Sequence, residues 1–217
     1  MSGKRTYDDP CGVARALNLI GERWALLVVR ELLHGPKRFT DIRSGLPHAS
    51  QNVLSTRLRE LEESGIVRRR KLGPPVSAQA YELTERGREL EPVLLALARW
   101  GSRTPLTSEE ELSADALVLA LRTTFDVQAA AGLRAGVELR LGEDMFHAEV
   151  ADGDLTMERG AADEPDAVIE AGSATLRSVV FGGRKLTDAQ RKGEARVEGD
   201  GDAARRFVEL FPRPSVR

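Results

Sequence analysis

One segment constrains this chain more than any other. Ser50-Gln-Asn-Val-Leu-Ser-Thr-Arg-Leu-Arg-Glu-Leu-Glu-Glu-Ser-Gly-Ile-Val-Arg-Arg-Arg-Lys71 reads as a helix, a stop and a cationic strand. Leu54, Leu58 and Leu61 recur at helical spacing and give one apolar face. The opposite face carries Gln51, Asn52, Ser55, Thr56 and Arg59, side chains suited to reach base edges and phosphates in a major groove. Gly65 ends the helix. Arg68, Arg69, Arg70 and Lys71 then follow without interruption.

The flanking sequence supplies the rest of a small DNA-binding architecture. Pro10 can open a helix reaching about Ile20, with Val13, Leu17 and Ile20 on one face. A second helix is expected from about Glu22 to Leu33, including Trp24, and Gly35-Pro36 ends it. Phe39-Thr-Asp-Ile42 begins a short helix with Thr40 as its cap. Gly45-Leu-Pro47 leads into the long one, capped by Ser50 or a neighbour. Helix, turn and helix are satisfied by spacing. Downstream, Gln79-Ala-Tyr-Glu-Leu83 can return beside the cationic strand after a turn at Gly73-Pro74-Pro75. The layout is that of a winged helix-turn-helix, so the expected partner is a double-stranded DNA operator.

On this reading Arg57, Arg59, Lys37, Arg38 and His48 add backbone contacts, and about half of Arg68–Lys71 touch DNA because a strand alternates its faces. Thr84 caps a helix from Glu85 to about Trp100, which Pro92 kinks or splits. Its apolar face, with the N-terminal helix, is expected to form a homodimer.

The charge distribution agrees. Residues 1–105 hold 18 Lys+Arg against 12 Asp+Glu, a balance of +6, whereas residues 106–217 hold 14 against 22, a balance of -8. A basic half joined to an acidic half suggests two domains with different partners. The organisation expected is a DNA-binding and dimerisation domain at 1–101, a polar linker at 102–112 and a second domain at 113–217.

That second domain alternates strands and helices. A helix runs from Ser113 to about Thr124. Val137–Leu141 and Met145–Val150 read as a hairpin, followed by strands at 155–159 and 167–171. A helix from Ser173, a strand at Glu194–Glu198 and a closing helix from Ala203 to Phe211 complete it. The fold class expected is α+β, the second domain being an α/β meander sheet with helices on one side.

Two resemblances emerge from these residues. Cys11-Gly-Val-Ala-Arg-Ala-Leu, Ile20-Gly-Glu-Arg-Trp24, Phe39-Thr-Asp-Ile, Leu54 to Val67 and Tyr81-Glu-Leu-Thr-Glu-Arg-Gly-Arg-Glu-Leu90 resemble, in order and spacing, the HxlR family of MarR-like winged-helix regulators. The resemblance implies a homodimer reading a pseudo-palindromic operator, most simply as a repressor. It departs from the family at Gly12, where Cys-Pro is usual, and at a less polar wing tip, Pro74–Ala78. Some members sense electrophiles through an N-terminal cysteine, which makes Cys11 a possible redox residue. The alternative is a small apolar residue at the dimer interface.

Pro165-Asp-Ala-Val-Ile-Glu-Ala and Gly193-Glu-Ala-Arg-Val-Glu-Gly199, each before a helix, resemble the sterol-carrier-protein fold, whose members bury apolar ligands. That implies an effector domain. Phe125, Met145, Phe146, Val179, Val180, Phe181, Phe207 and Phe211 are the candidates to line its cavity, with ordinary core packing as the alternative. A third reading is a lipid carrier with a protein-interaction module.

Other chemistry finds no support in the sequence. There is no nucleophile–base pair and no phosphate loop, and His34, His48 and His147 lack metal spacing. Neither enzymatic activity nor a cofactor or metal is expected. One cysteine allows no intrachain disulfide, and no apolar run spans a membrane, so a cytoplasmic location is expected.

Overall fold

The computed structural model describes residues 6–73, 78–104 and 110–213. The chain clusters into two compact units, Met1–Leu94 and Leu95–Arg217, divided inside one helix. The wing turn expected at Pro74-Pro75 and the centre of the expected linker lie outside the described residues.

The first unit opens with α1 (Gly12–Ile20), two residues beyond Pro10. Its cap is Cys11, whose Sγ accepts from the Ala14 N–H at 3.4 Å. α2 (Ala25–Leu32) begins later than the sequence pattern suggests. Trp24 has φ of 79°, a left-handed conformation that no helix interior accommodates, and so stands at the cap. A two-residue strand, β1 (Lys37–Arg38), precedes α3 (Phe39–Gly45). Here too the expected cap is corrected. Arg38 occupies that position, and its N–H donates to the Asp41 carboxylate at 3.1 Å, a stronger acceptor at the positive helix end than the Thr40 hydroxyl.

α4 (Gln51–Glu63) starts where Ser50 Oγ accepts from the Val53 N–H. It stops where Gly65 takes φ of 68°. β2 (Val67–Lys71) and β3 (Gln79–Leu83) form the antiparallel wing, and β1 pairs with the other edge of β3. The long helix expected after Thr84 is split into α5 (Glu85–Arg88) and α6 (Glu91–Gly101). Pro92 falls in the first turn of α6, where its missing N–H forfeits no helical bond. Leu54, Leu58 and Leu61 are all buried, and they pack with Val28, Leu32, Ile42 and Leu83.

In the second unit α7 (Ala114–Thr124) leads into β4 (Ala135–Leu141), β5 (Asp144–Ala151) and β6 (Asp154–Arg159). Then come β7 (Ala167–Ala171), α8 (Ser173–Val180), α9 (Leu186–Arg191), β8 (Ala195–Gly199) and α10 (Gly201–Val208). The α+β class stands. The five-stranded sheet runs β6-β5-β4-β7-β8. Its first three strands are the expected meander. β7 then crosses over to lie parallel to β4, which makes the sheet mixed. Helix α9 was not legible, its six residues showing little periodicity.

Alternation assigns the two faces of this sheet. Val137, Leu139, Phe146, Ala148, Val150 and Ile169 enter one core with Leu117, Leu121 and Phe207 of α7 and α10. Asp115 of α7 is fully buried and accepts two hydrogen bonds from Arg159, at 2.7 and 2.8 Å, which tie the helix to β6. Arg159 also bonds Asp144 and lies 4.6 Å from the Phe146 ring centroid.

On the other face Glu138 is buried where the β6–β7 connection crosses. It accepts from Arg140 Nε at 2.7 Å and from the Ala162 N–H at 2.8 Å. Burial works to raise the Glu138 carboxyl, but these bonds outweigh it and hold it below the ordinary carboxylate range. A carboxyl depressed in the folded state contributes stability that is present above its unfolded pKa, about 4.3. That contribution is lost as pH falls through the folded value. Urea unfolding of wild type and Glu138→Gln across this range should therefore show wild type losing its advantage as the solution is acidified. A difference independent of pH would contradict the assignment.

Candidate nucleic-acid interface

The polar face of α4 is built by its apolar one. With Leu54, Leu58 and Leu61 seated in the core, Gln51, Asn52, Ser55 and Arg59 are exposed and Thr56 is half-buried. Ser50 and His48 are exposed at the start of the same helix. Val53 joins them, a residue the sequence reading passed over because it is apolar. It is exposed on the first turn, where a methyl group can meet a thymine methyl.

Arg57 is a correction. It is three residues after Leu54 and four before Leu61, so it sits at the edge of the buried face. Its side chain is only 12% exposed, bonded to Glu60 and 3.7 Å from Glu22. It ties α4 to the turn before α2 rather than standing with the exposed cations.

Lys37 is the second correction. Glu31 shares the inner face of α2 with Val28 and Leu32, and a buried carboxylate requires a partner. Lys37 Nζ supplies one at 2.8 Å, and its side chain is only 7% exposed. Arg30 supplies another at 2.7 Å and reaches the Gly45 carbonyl at 3.5 Å. A Cβ at Gly45 would lie 2.1 Å from the Glu31 carboxylate, so any larger residue there must push that carboxylate from its place. Arg38, next in the chain, is half-buried.

Along β2 only Val67 is buried, and Arg68 to Lys71 are exposed. Arg68 and Arg70 flank Glu82 of β3, while Arg69 lies beside Tyr81 and Glu62. Burial works to raise the Glu82 carboxyl, but hydrogen bonds from Arg70 and Arg68 prevail and hold it below the usual carboxylate range.

Cys11 is exposed. α1 leaves Val13 and Leu17 exposed, and α6 leaves Val93, Leu97 and Trp100 exposed.

Seven of the eight apolar candidates of the second unit lie in or against one core. Phe207 and Phe211 meet edge to face at 5.1 Å, and Phe125 lies 6.2 Å from Phe211. Phe146 and Val179 are buried in the same core, against which Val180 and Phe181 pack half-buried. Met145 is the exception. It is 42% exposed, because strand alternation sends it to the face opposite Phe146. A groove lined by Gly142, Glu170, Gly172, Glu194 and Arg196 contains none of the eight. Among the described residues no cluster of His, Cys, Asp or Glu is placed to hold a metal ion, and no helix is long and apolar enough to cross a membrane.

Comparison with known proteins matches both halves of the sequence. Residues 19–108 fit the model of the HxlR-like helix-turn-helix family. YvaP, an HTH-type transcriptional regulator of Bacillus subtilis strain 168, is 38% identical over 88 residues, which are 41% of this chain and 82% of that one. Residues 107–217 fit the alkyl sulfatase C-terminal family. The chain belongs to the HxlR-like helix-turn-helix family, with an alkyl sulfatase C-terminal module behind it.

Among solved structures, this HxlR chain is 36% identical to quinone-bound YodB from B. subtilis, covering 42% of this chain and 96% of that one with a TM-score of 0.37. It is 20% identical to a variant of the sec-alkyl sulfatase PisA1, with a TM-score of 0.43. That match covers 46% of this chain but spans only 16% of the sulfatase. The sterol-carrier likeness of the second unit is consistent with the C-terminal match.

The buried ion pairs predict how the HxlR unit responds to mutation. Lys37→Met leaves Glu31 with one cation fewer, and the expected loss is toward the lower end of roughly 3–5 kcal/mol. Chemical denaturation of the full chain measures it. A change near zero would return Lys37 to the exposed cations.

Proposed function

We propose that this HxlR-family protein is a homodimeric transcription regulator that binds a double-stranded DNA operator and acts as a repressor. Residues 1–101 serve DNA binding and dimerisation, 102–112 link, and 113–217 take a small apolar effector. The observation that carries the reading is one exposed face on α4. Gln51, Asn52 and Ser55 offer hydrogen bonds to base edges, and Arg59 offers a cation to phosphate. The exposed arginines of β2 in the same unit supply further sequence-independent attraction.

The apolar residues left outside by α1 and α6 support the dimer, which two-fold operators require. Half-buried Phe125, Val180 and Phe181 are where an apolar effector would enter the second domain. A ligand that prefers one arrangement of the paired winged helices would change operator affinity by population shift.

The test is fluorescence anisotropy of the full chain on duplexes from its own upstream region and on random duplexes, across a salt series. Gln51→Ala with Asn52→Ala should erase the preference for the cognate duplex and leave the salt slope unchanged. Arg59→Gln should reduce the slope by about 0.9. An unchanged preference in the double variant would remove α4 from the interface. Repeating the titration with medium-chain fatty acids should shift affinity in wild type but not in Phe181→Asp. A response to p-benzoquinone that Cys11→Ser removes would instead move the sensor to the thiol.

A further inference from the structure

The cationic strand is less charged in space than in sequence. β2 sends Arg68 and Arg70 to one face and Arg69 and Lys71 to the other. Glu82 lies opposite Arg68 in the register of β3. One of its carboxylate oxygens accepts from Arg68 Nε at 2.7 Å, and the other accepts from Arg70 at 3.0 Å. The Glu82 side chain is 7% exposed, whereas the two arginines it bridges are more than half exposed. Across the strand, Arg69 Nε lies 3.2 Å from the Glu62 carboxylate, on the last turn of α4. Three of the four consecutive cations therefore already lie against a carboxylate, an anion that competes for the same donors as phosphate.

We propose that Glu82, assisted by Glu62, is a built-in competitor for phosphate on the wing. A phosphate that engages Arg68 and Arg70 must either displace the carboxylate from the N–H groups it holds or take their remaining donors beside its negative charge. The wing then neutralises fewer phosphates than four bare cations would, and binding to arbitrary duplex is held down. A register that places one acid between two arginines sets this limit without removing the arginines. The inference rests on the DNA-binding reading above.

The experiment uses the full chain and a fluorescein-labelled random-sequence duplex, with anisotropy read from about 50 to 200 mM salt. Glu82→Gln should bind about tenfold tighter at low salt, with a slope steeper by about 0.9. Glu62→Gln, whose carboxylate is partly exposed, should shift the same way by less. Glu89→Gln, an exposed acid at the end of α5, controls for net charge and should change affinity less than either. In an Arg68→Gln, Arg70→Gln background the gain from Glu82→Gln should vanish.

The inference falls if wild type binds, the arginine variants weaken it, and neither Glu82→Gln nor Glu62→Gln tightens it. If Glu82→Gln melts early, Glu62→Gln decides alone. If wild type and every variant show no salt-dependent binding, the DNA-binding reading falls, and the inference with it.

Discussion

The first unit depends on one buried charge. Glu31 lies inside the helical core, and Lys37 and Arg30 close on its carboxylate there. Those bonds fix more than stability. Lys37 belongs to β1, which pairs with the wing strand β3, and Arg30 reaches the carbonyl of Gly45 at the end of α3. One carboxylate thus positions the wing and the turn into α4 relative to α2. A side chain at Gly45 would have to displace the Glu31 carboxylate, so packing and electrostatics favour the same geometry. Arg57 extends this bracing from α4 to Glu22.

With the frame set, the exposed chemistry divides in two. α4 offers neutral hydrogen-bonding groups and one apolar residue, Val53, which suits discrimination among bases. The wing offers guanidiniums moderated by carboxylates, which suits adjustable, sequence-independent attraction. The two are joined by the Arg69–Glu62 pair, so the last turn of α4 and the wing share an ion pair. The second unit has its own mixed sheet and core, pinned by the Asp115–Arg159 pair.

Much of this was legible in the sequence where the period carried it. The Leu54, Leu58, Leu61 stripe, the Ser50 cap and the Gly65 stop are local signals, and each appears where spacing places it. Arg57 could have been read correctly as well, since its offsets from Leu54 and Leu61 put it on the inner face. Lys37 could not, because its burial depends on a two-residue strand whose pairing is non-local. Nor could the moderated charge of the wing, because Glu82 meets Arg68 and Arg70 only through strand register. The left-handed Trp24 and the parallel crossover of β7 leave no periodic mark either. Met145 shows the opposite error: an apolar side chain alone does not say which face of a strand it occupies.

Selection from a randomised duplex pool by the purified full chain shows whether two copies of α4 read one duplex. Enrichment of a two-fold-symmetric sequence is expected, with half-site centres about one helical turn apart, ~34–36 Å. Recovery of a pool no different from the input would contradict it.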